Sequence, residues 1–309
     1  MRKFVISLSF MLTLTSSVNA ATIGVSVAGL DEFNTTLLNG LVEHARKISG
    51  TKVISADSKG DGALQKRQVA DLIAQKVDAV IILLADGDLG AQLTPIASNA
   101  GVPLVFVNNV PANVADLPAN QVVVASDEKE SGTLQAKEVC KLLNGKGHIA
   151  VLVGEPFHAA ARVRTQDIDD VIATSECSGL KVVERQSAYW SPEHADAQVQ
   201  EWLAAGVEFD AILANNDDMA LGAISALRRN NIGAKEVIVA GIDAIPPAIK
   251  AIRDGDLKVT VFQNAAAQGA GAVEAALKLA QGQSVPRENY IPFELVTPQN
   301  VEQYLLKSH

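Results

Sequence analysis

The sequence predicts an α/β protein, and three observations along its length support this fold class. Short runs of β-branched and apolar residues alternate with longer segments whose apolar residues recur at helical spacing, from Thr22 to the C-terminus. Several short runs, such as 79–84, are apolar throughout, as expected of parallel strands covered by helices on both faces. Beyond Ser126 a second series of the same kind begins. We therefore expect two similar lobes, each a doubly wound parallel sheet.

The predicted strands are short and evenly distributed between the helical segments. Gly50, Gly101 and Gly206 follow helical segments, where a glycine in the left-handed conformation commonly ends a helix. The strand candidates are 22–27, 52–55, 79–84, 104–107, 122–125, 148–153, 180–184, 211–214, 237–240 and 259–261.

Residues 1–20 have the order of a secretory signal peptide. Arg2 and Lys3 precede an apolar run over residues 4–14, which is too short to span a bilayer. The small side chains of Val18 and Ala20 suit signal peptidase, so we expect cleavage after Ala20. The same length argument disfavours the alternative, an N-terminal membrane anchor. The sequence therefore predicts an exported, periplasmic protein.

Composition and motifs exclude several function classes. The formal net charge is −9, and removal of Arg2 and Lys3 takes it to −11, which argues against nucleic acid or an anionic membrane surface as a partner. No glycine-bearing turn matches a phosphate-binding loop or a dinucleotide fingerprint. The five histidines show no metal-ligand spacing, and we interpret each as a surface or loop residue. We therefore expect no metal, no cofactor and no catalysis.

The chain has two cysteines, and their state is left open by the sequence. Cys140 falls late in a predicted helix before strand 148–153, and Cys177 falls just before strand 180–184. If those strands are neighbours in a parallel sheet, both cysteines lie at the same end of it. An exported compartment permits a disulfide, whereas the alternative is a pair of buried thiols. The Cα separation decides between the two.

Polar and aromatic side chains follow strand after strand, at the edge of the sheet where ligands bind in open α/β folds. Such groups can satisfy a ring of hydroxyls, each of which both donates and accepts a hydrogen bond. Phe33 and Trp190 can cover the CH faces of such a ring from opposite sides. Any single Asn or Asp here is also a good helix cap or turn residue, but their recurrence favours a site. The set is Asp31, Phe33, Asn34, Asn108, Asn109, Arg162, Arg164, Tyr189, Trp190, Asn215, Asn216, Asp243, Gln263 and Asn264.

Four segments resemble the ribose-type periplasmic binding proteins of ABC importers: 214–223 (ANNDDMALGA), 239–243 (VAGID), 103–109 (PLVFVNN) and 161–165 (ARVRT). The resemblance covers essentially the whole chain after the signal peptide. It implies two Rossmann-like lobes joined by a three-segment hinge near Ser126, 263–264 and 291–293. It also implies a ligand in the interlobe cleft and a membrane permease as partner. The implied lobes are 21–126 plus 264–292, and 127–263 plus 293–309.

The resemblance also implies which residues contact the ligand, with Arg164 favoured over Arg162. Ribose binders typically have Asp-Arg at the position of Asn108-Asn109 and a Phe at that of Trp190. The segments 188–190, 259–264 and 291–298 look more like the inositol and rhizopine binders, although those commonly have Asn-Arg at the pair. An indole face and a neutral amide pair fit a six-membered cyclitol, so we expect myo-inositol or a related cyclitol. The implied contacts are Asp31, Phe33, Asn34, Asn108, Asn109, Arg164, Trp190, Asn216, Asp243 and Gln263.

Other functions stay open at this stage. The ligand could be a pentose such as ribose, or another sugar or sugar alcohol, and a chemoreceptor partnership could coexist with transport. Repressor-type regulators share the lobe architecture, but the signal peptide and the lack of a helix-turn-helix segment before Thr22 argue against one. Asp31 and Asp243 could serve as the paired carboxylates of a glycosidase. We expect a monomer that captures its ligand without chemistry.

Overall fold

The structure is a computed structural model that describes residues 20–305. It confirms the α/β class, with parallel sheets in two lobes. The predicted signal peptide lies outside the described residues, apart from Ala20. Within the described range, no helix combines the length and the apolar character needed to cross a membrane.

Strands and helices alternate along the described chain as the sequence predicts. The strands are β1 (Thr22–Val27), β2 (Lys52–Asp57), β3 (Ala79–Ile82), β4 (Leu104–Val107), β5 (Gln121–Ala125), β6 (Lys146–Val153), β7 (Gly179–Ser187), β8 (Ala211–Ala214), β9 (Ile238–Ala240), β10 (Thr260–Phe262), β11 (Glu288–Tyr290) and β12 (Glu294–Val296). The helices are α1 (Glu32–Lys47), α2 (Gly62–Ala74), α3 (Leu89–Ala100), α4 (Glu128–Leu142), α5 (Ala159–Ile172), α6 (Pro192–Ala204), α7 (Asp217–Arg229), α8 (Pro246–Asp254) and α9 (Ala265–Ala280).

The first sheet is parallel and has the order β11-β5-β4-β3-β1-β2. Helix α9 returns from the second half of the sequence to pack against α1 and this sheet. The two helices approach closely because glycines lie in their contact: a Cβ on Gly40 would be 2.6 Å from the Cα of Ala266, and one on Gly269 would be 2.5 Å from the Leu37 carbonyl oxygen. This packing makes α9 part of the first lobe.

The second sheet is also parallel and has the order β7-β6-β8-β9. Single bridges from Ala240 to Val259 and from Asp243 to Phe262 extend it toward β10, which pairs antiparallel with β12. The chain passes between the two lobes after β5, after β10 and after β11. In both sheets, loops that follow the carboxyl ends of the parallel strands line the same cleft.

The predicted strands all form, three of them with the predicted ends and the others with shifted ends, whereas β11 and β12 were missed. Each has three residues, and Glu288-Asn289-Tyr290 has no apolar run to mark it. These strands form because β5 and β10, distant in sequence, offer edges for them to pair with. The predicted strand 79–84 ends at Ile82, so Leu83 and Leu84 leave the sheet and line the cleft.

The cysteines are joined in a disulfide, with their Cα atoms 5.8 Å apart. Cys140 precedes β6 and Cys177 precedes β7, and these strands are neighbours in the parallel sheet. The disulfide therefore lies at the amino ends of the strands, opposite the edge that faces the cleft.

Replacing both cysteines with serine is expected to lower the free energy of unfolding by about 2–4 kcal/mol, because the 37-residue separation makes the disulfide a strong constraint on the unfolded chain. Chemical denaturation of the variant Cys140→Ser/Cys177→Ser beside the oxidised parent protein measures this loss. Ligand affinity should stay within about threefold of the parent value, since the bond is remote from the cleft. A loss of affinity comparable to the loss after a cleft substitution would contradict this placement.

Candidate ligand-binding cleft

A cavity of about 230 Å³ lies where the carboxyl ends of the two sheets face each other. Its volume is below the roughly 300–1,000 Å³ of pockets for drug-sized ligands, so it suits one small ring. The first lobe contributes the loops after β1, β2, β3 and β4, and the second contributes those after β6, β7, β8 and β9. Every one of the ten predicted contacts lines it: Asp31, Phe33, Asn34, Asn108, Asn109, Arg164, Trp190, Asn216, Asp243 and Gln263.

The start of α1 forms one wall of the cavity. Asp31 caps this helix, and its Oδ1 accepts a hydrogen bond of 2.7 Å from the backbone N–H of Asn34. The Asn34 side chain donates to Asp31 Oδ2 at 3.1 Å, which leaves the Asn34 Oδ1 available as an acceptor. Phe33 is buried beside them, so it gives this wall an apolar face. The cap thus orients polar and apolar groups toward the cavity together.

Asn108 and Asn109 follow β4 and present acceptors to the cavity. The Asn108 side chain donates to Gln268 Oε1 at 3.1 Å, and Asn109 donates to the Leu84 carbonyl at 2.7 Å. Both amide nitrogens are therefore engaged by protein. Among residues 20–305, no group donates to either Oδ1, so both oxygens can accept from ligand hydroxyls.

Arg164 is the buried cation of the site, and four groups hold it. Its Nε and Nη2 donate to Glu128 at 2.8 and 3.3 Å, and its Nη1 donates to the Asn215 carbonyl at 2.7 Å. Longer contacts of 3.4 Å reach Asp243 and Gln263. Burial alone would lower the pKa of Arg164, but Glu128 and Asp243 raise it, so the guanidinium stays charged.

Asp243 lies in a strained turn, with φ of 118°. Asp217 stabilises this turn through hydrogen bonds. Asp217 Oδ2 accepts from the backbone N–H of Ile245 at 3.1 Å, and its Oδ1 accepts from the Thr260 hydroxyl at 2.7 Å. The Thr260 hydroxyl in turn accepts from Ala244 N–H at 3.2 Å. Burial raises the pKa of Asp217 to about 8. A hydrogen-bonded network therefore fixes the turn that presents Asp243.

The Asp243 carboxyl is buried and only partly satisfied by protein. Its Oδ1 accepts the long contact from Arg164, and no described residue donates to its Oδ2. Burial raises the pKa of this carboxyl well above its usual range, and the Arg164 charge opposes that rise. Such a group gains most from donors that a bound ligand supplies, because the desolvated oxygen otherwise lacks partners.

Trp190 forms the opposite apolar wall, and its indole is held in place by close neighbours. A Cβ added to Gly154 would lie 2.2 Å from the indole Cζ2, so only glycine leaves room for the ring. The His158 ring packs edge-on against it, with centroids 5.3 Å apart, and the Arg164 guanidinium lies 6.0 Å from the indole centroid. Phe33 and Trp190 therefore face the cavity from different lobes.

His158 lies in the loop after β6, as the sequence predicts, but it also lines the cavity, which was not predicted. Its Nδ1 accepts from the Ala160 N–H at 3.2 Å and caps α5. Burial and then the Arg164 charge lower the pKa of His158 to about 4, so the ring is neutral and its proton lies on Nε2. The signal was its position after β6, at the edge where the other site residues were found. Glu128 and Glu155 also line the cavity and were missed.

The remaining polar residues after the strands have structural roles. Arg162 donates to the Phe157 carbonyl at 2.6 Å, and Asn264 caps α9. Asn215 accepts from Gly154 N–H and the Thr165 hydroxyl, while Tyr189 is exposed. Asn216 combines both roles, as Asp31 and His158 do, because it caps α7 and lines the cavity.

The profile of the periplasmic binding protein domain matches residues 23–284. This chain belongs to the periplasmic binding protein family. A protein of Rhizobium meliloti named for rhizopine binding is 44% identical over 98% of this chain and 99% of its own length. The ribose import binding protein of Bacillus subtilis is 31% identical over 89% of this chain and 87% of its own.

A solved structure supports the same grouping. The ABC transporter solute-binding protein of Bacillus halodurans, with bound myo-inositol, has a TM-score of 0.88 and 39% identity, over 95% of this chain and all of that one. The family and these neighbours are solute-binding proteins rather than enzymes.

Proposed function

We propose that this periplasmic binding protein captures a small cyclitol, myo-inositol or a close relative, and delivers it unchanged to the membrane permease of an ABC importer. The observation that carries the proposal is the convergence of the ten predicted side chains on one cavity sized for a single ring. The myo-inositol bound to the Bacillus halodurans protein, at 39% identity, supports the choice of a cyclitol.

The chemistry of the cavity matches a ring that carries hydroxyls around its edge. Ligand hydroxyls can donate hydrogen bonds to the side-chain oxygens that have no protein donor, which belong to Asn34, Asn108, Asn109 and Asp243. In the other direction, His158 Nε2–H can donate a hydrogen bond to a hydroxyl oxygen. The aromatic rings from the two lobes cover the CH faces of the ligand. An inositol, which has a hydroxyl on every ring carbon, uses such a circle of groups more fully than a pentose does.

Closure of the lobes would couple capture to transport. The ligand contacts groups from both lobes, so it stabilises the closed state more than the open one and shifts the population toward closure. We propose that the lobes pivot at the three connections near Ser126, 263–264 and 291–293, and that the permease recognises the closed monomer in the periplasm. The arrangement needs no chemical step.

A calorimetric titration of the mature chain tests the function directly. We expect myo-inositol to bind with 1:1 stoichiometry and to raise Tm by about 5 °C or more at 100 times its Kd, since a ligand specific to the folded state stabilises it by mass action. We expect ribose and xylitol to bind more weakly, and the ligand to be recovered unchanged after long incubation.

Tighter binding of ribose than of any inositol would overturn the cyclitol assignment but keep the binding-protein class. Failure of every inositol, pentose, hexose and pentitol to raise Tm would overturn the proposed function. Conversion of the ligand would overturn the absence of chemistry.

A further inference from the structure

A second crevice adjoins the ligand cavity at its edge. It has a volume of about 580 Å³ and shares four lining residues with the cavity, namely Gly60, Ala85, Glu155 and His158. Gly60 and Ala85 belong to loops of the first lobe, whereas Glu155 and His158 belong to the loop after β6. The crevice is therefore continuous with the cavity and, like it, lies between the lobes.

Small residues keep the first-lobe wall of this crevice open. Gly60 has φ of +79°, and a Cβ built on it would meet nothing within 4 Å. A Cβ on Gly62 would lie 2.9 Å from Leu89 Cδ1, so a larger residue there would have to displace the Leu89 side chain. Ala63 and Ala85 add only methyl groups. The crevice that this wall borders is therefore larger than the ligand cavity, at about 580 Å³ against about 230 Å³.

An exposed aromatic ring faces this space from the second lobe. Phe157 lies at the tip of the loop between β6 and α5, lines the crevice and is 86% exposed. Its backbone is fixed, because its carbonyl accepts from Arg162 Nη1 at 2.6 Å and the His158 N–H donates to the Glu155 carbonyl at 2.9 Å. A large apolar ring held in solvent by an ordered turn loses no protein contact when a ligand covers it.

The polar groups around Phe157 are those that bind sugar hydroxyls. Lys66 and Gln92 lie on the opposite wall, and the Lys66 ammonium donates to Gln92 Oε1 at 3.4 Å. Asp86 and Glu155 add carboxylate acceptors. An aromatic platform with amide, ammonium and carboxylate groups beside it repeats the chemistry of the main cavity.

We propose that this crevice is a second subsite, which takes one further sugar ring attached to the cyclitol, with Phe157 stacking on that ring. The protein then binds glycosylated cyclitols as well as the free ring. The inference rests on the proposed function, since the first ring must occupy the main cavity for the second to reach Phe157.

Calorimetric titration with myo-inositol and with a set of its monogalactosides, linked at different hydroxyls, tests the subsite. We expect at least one galactoside to bind about as tightly as myo-inositol or more tightly. Phe157→Ala should lower the affinity for that galactoside about tenfold, which is the effect of losing one aromatic contact. The affinity for myo-inositol should stay unchanged. Phe157→Tyr should restore most of the affinity. The matched control is Leu142→Ala, which removes an exposed apolar side chain of the same lobe at the far end of α4. It should leave the affinity for both ligands unchanged.

The outcomes separate the two proposals. If myo-inositol binds but no galactoside does, or if Phe157→Ala leaves galactoside affinity unchanged, the subsite is overturned and the proposed function stands. If neither myo-inositol nor any galactoside binds, the proposed function fails and the subsite fails with it.

Discussion

Trp190→Ala is expected to lower the affinity for myo-inositol by about 100-fold while leaving the fold intact. The indole is the aromatic wall contributed by the second lobe, and removal of such an anchor from the centre of a binding site typically costs about this much. The side chain is half-buried and packs at the edge of the core, so its loss should lower the Tm of the free protein less than loss of a fully buried core side chain would. Calorimetric titration and thermal unfolding without ligand measure the two effects.

A companion variant displaces the indole instead of deleting it. Gly154→Ala adds a methyl group whose carbon would lie 2.2 Å from the present position of the Trp190 Cζ2 atom. The indole must therefore leave its position between Gly154 and His158. We expect affinity to fall by about tenfold or more, although every polar group of the site is retained. Tyr189→Ala is the matched control, since it removes the neighbouring aromatic side chain, which is exposed and does not line the cavity.

Equal affinities of the parent protein and Trp190→Ala would contradict the assignment of the indole to the ligand. A loss of affinity in Tyr189→Ala as large as in Trp190→Ala would show that the backbone turn, and not the indole, is responsible.

The location of the cleft was predictable from sequence because it depends on local patterns. Alternating apolar runs and helical stripes gave the parallel sheets, and ligands bind at the carboxyl ends of parallel strands. Residues such as Asn108 and Asp243 therefore could be placed at the cleft by counting from the end of a strand. Their convergence is a consequence of topology, which the order of strands already contains.

The detailed environment of the site depends on contacts between distant residues and was not predictable. Nothing near His158 in the sequence indicates that burial, and then the Arg164 charge, lower its pKa and keep its ring neutral. The pairing of Glu128 with Arg164 joins residues 36 apart. The positive φ angles of Trp190 and Asp243 are uncommon for residues other than glycine, and local propensity argues against them. The disulfide required a Cα separation that only the packed lobe supplies.

Asp243→Asn is expected to weaken binding while leaving the free protein as stable as the parent or more stable. Burial disfavours the ionised form of Asp243 in the free protein, but the Arg164 charge and the ligand hydroxyls favour it in the complex. The substitution removes this acceptor, and a hydrogen bond to a charged group contributes about 1.5–3 kcal/mol, which is a tenfold to hundredfold change in affinity. The Asn amide is nearly isosteric and neutral, so it avoids the cost of a buried charge. Arg164 keeps its shorter bonds to Glu128.

The pH dependence of stability gives this prediction a distinct signature. Burial raises the pKa of Asp243 in the folded state, so the folded protein binds a proton more tightly than the unfolded chain. Its contribution to stability is therefore present below the unfolded pKa and is lost as pH rises toward the folded pKa. Asp243→Asn lacks this loss, so denaturation at pH 5 and pH 8 should show a larger gain for the variant at pH 8.

The control for this pair of effects is Asp210→Asn, at the opposite end of the same sheet, where the carboxylate accepts from His148 N–H at 2.7 Å. Its affinity for myo-inositol should match that of the parent. A purely structural role for Asp243 would lower stability and affinity together, whereas a ligand-binding role predicts lower affinity without a loss of stability. Opposite signs in the two measurements therefore identify Asp243 as a group that the fold keeps, at some cost in stability, because the ligand uses it.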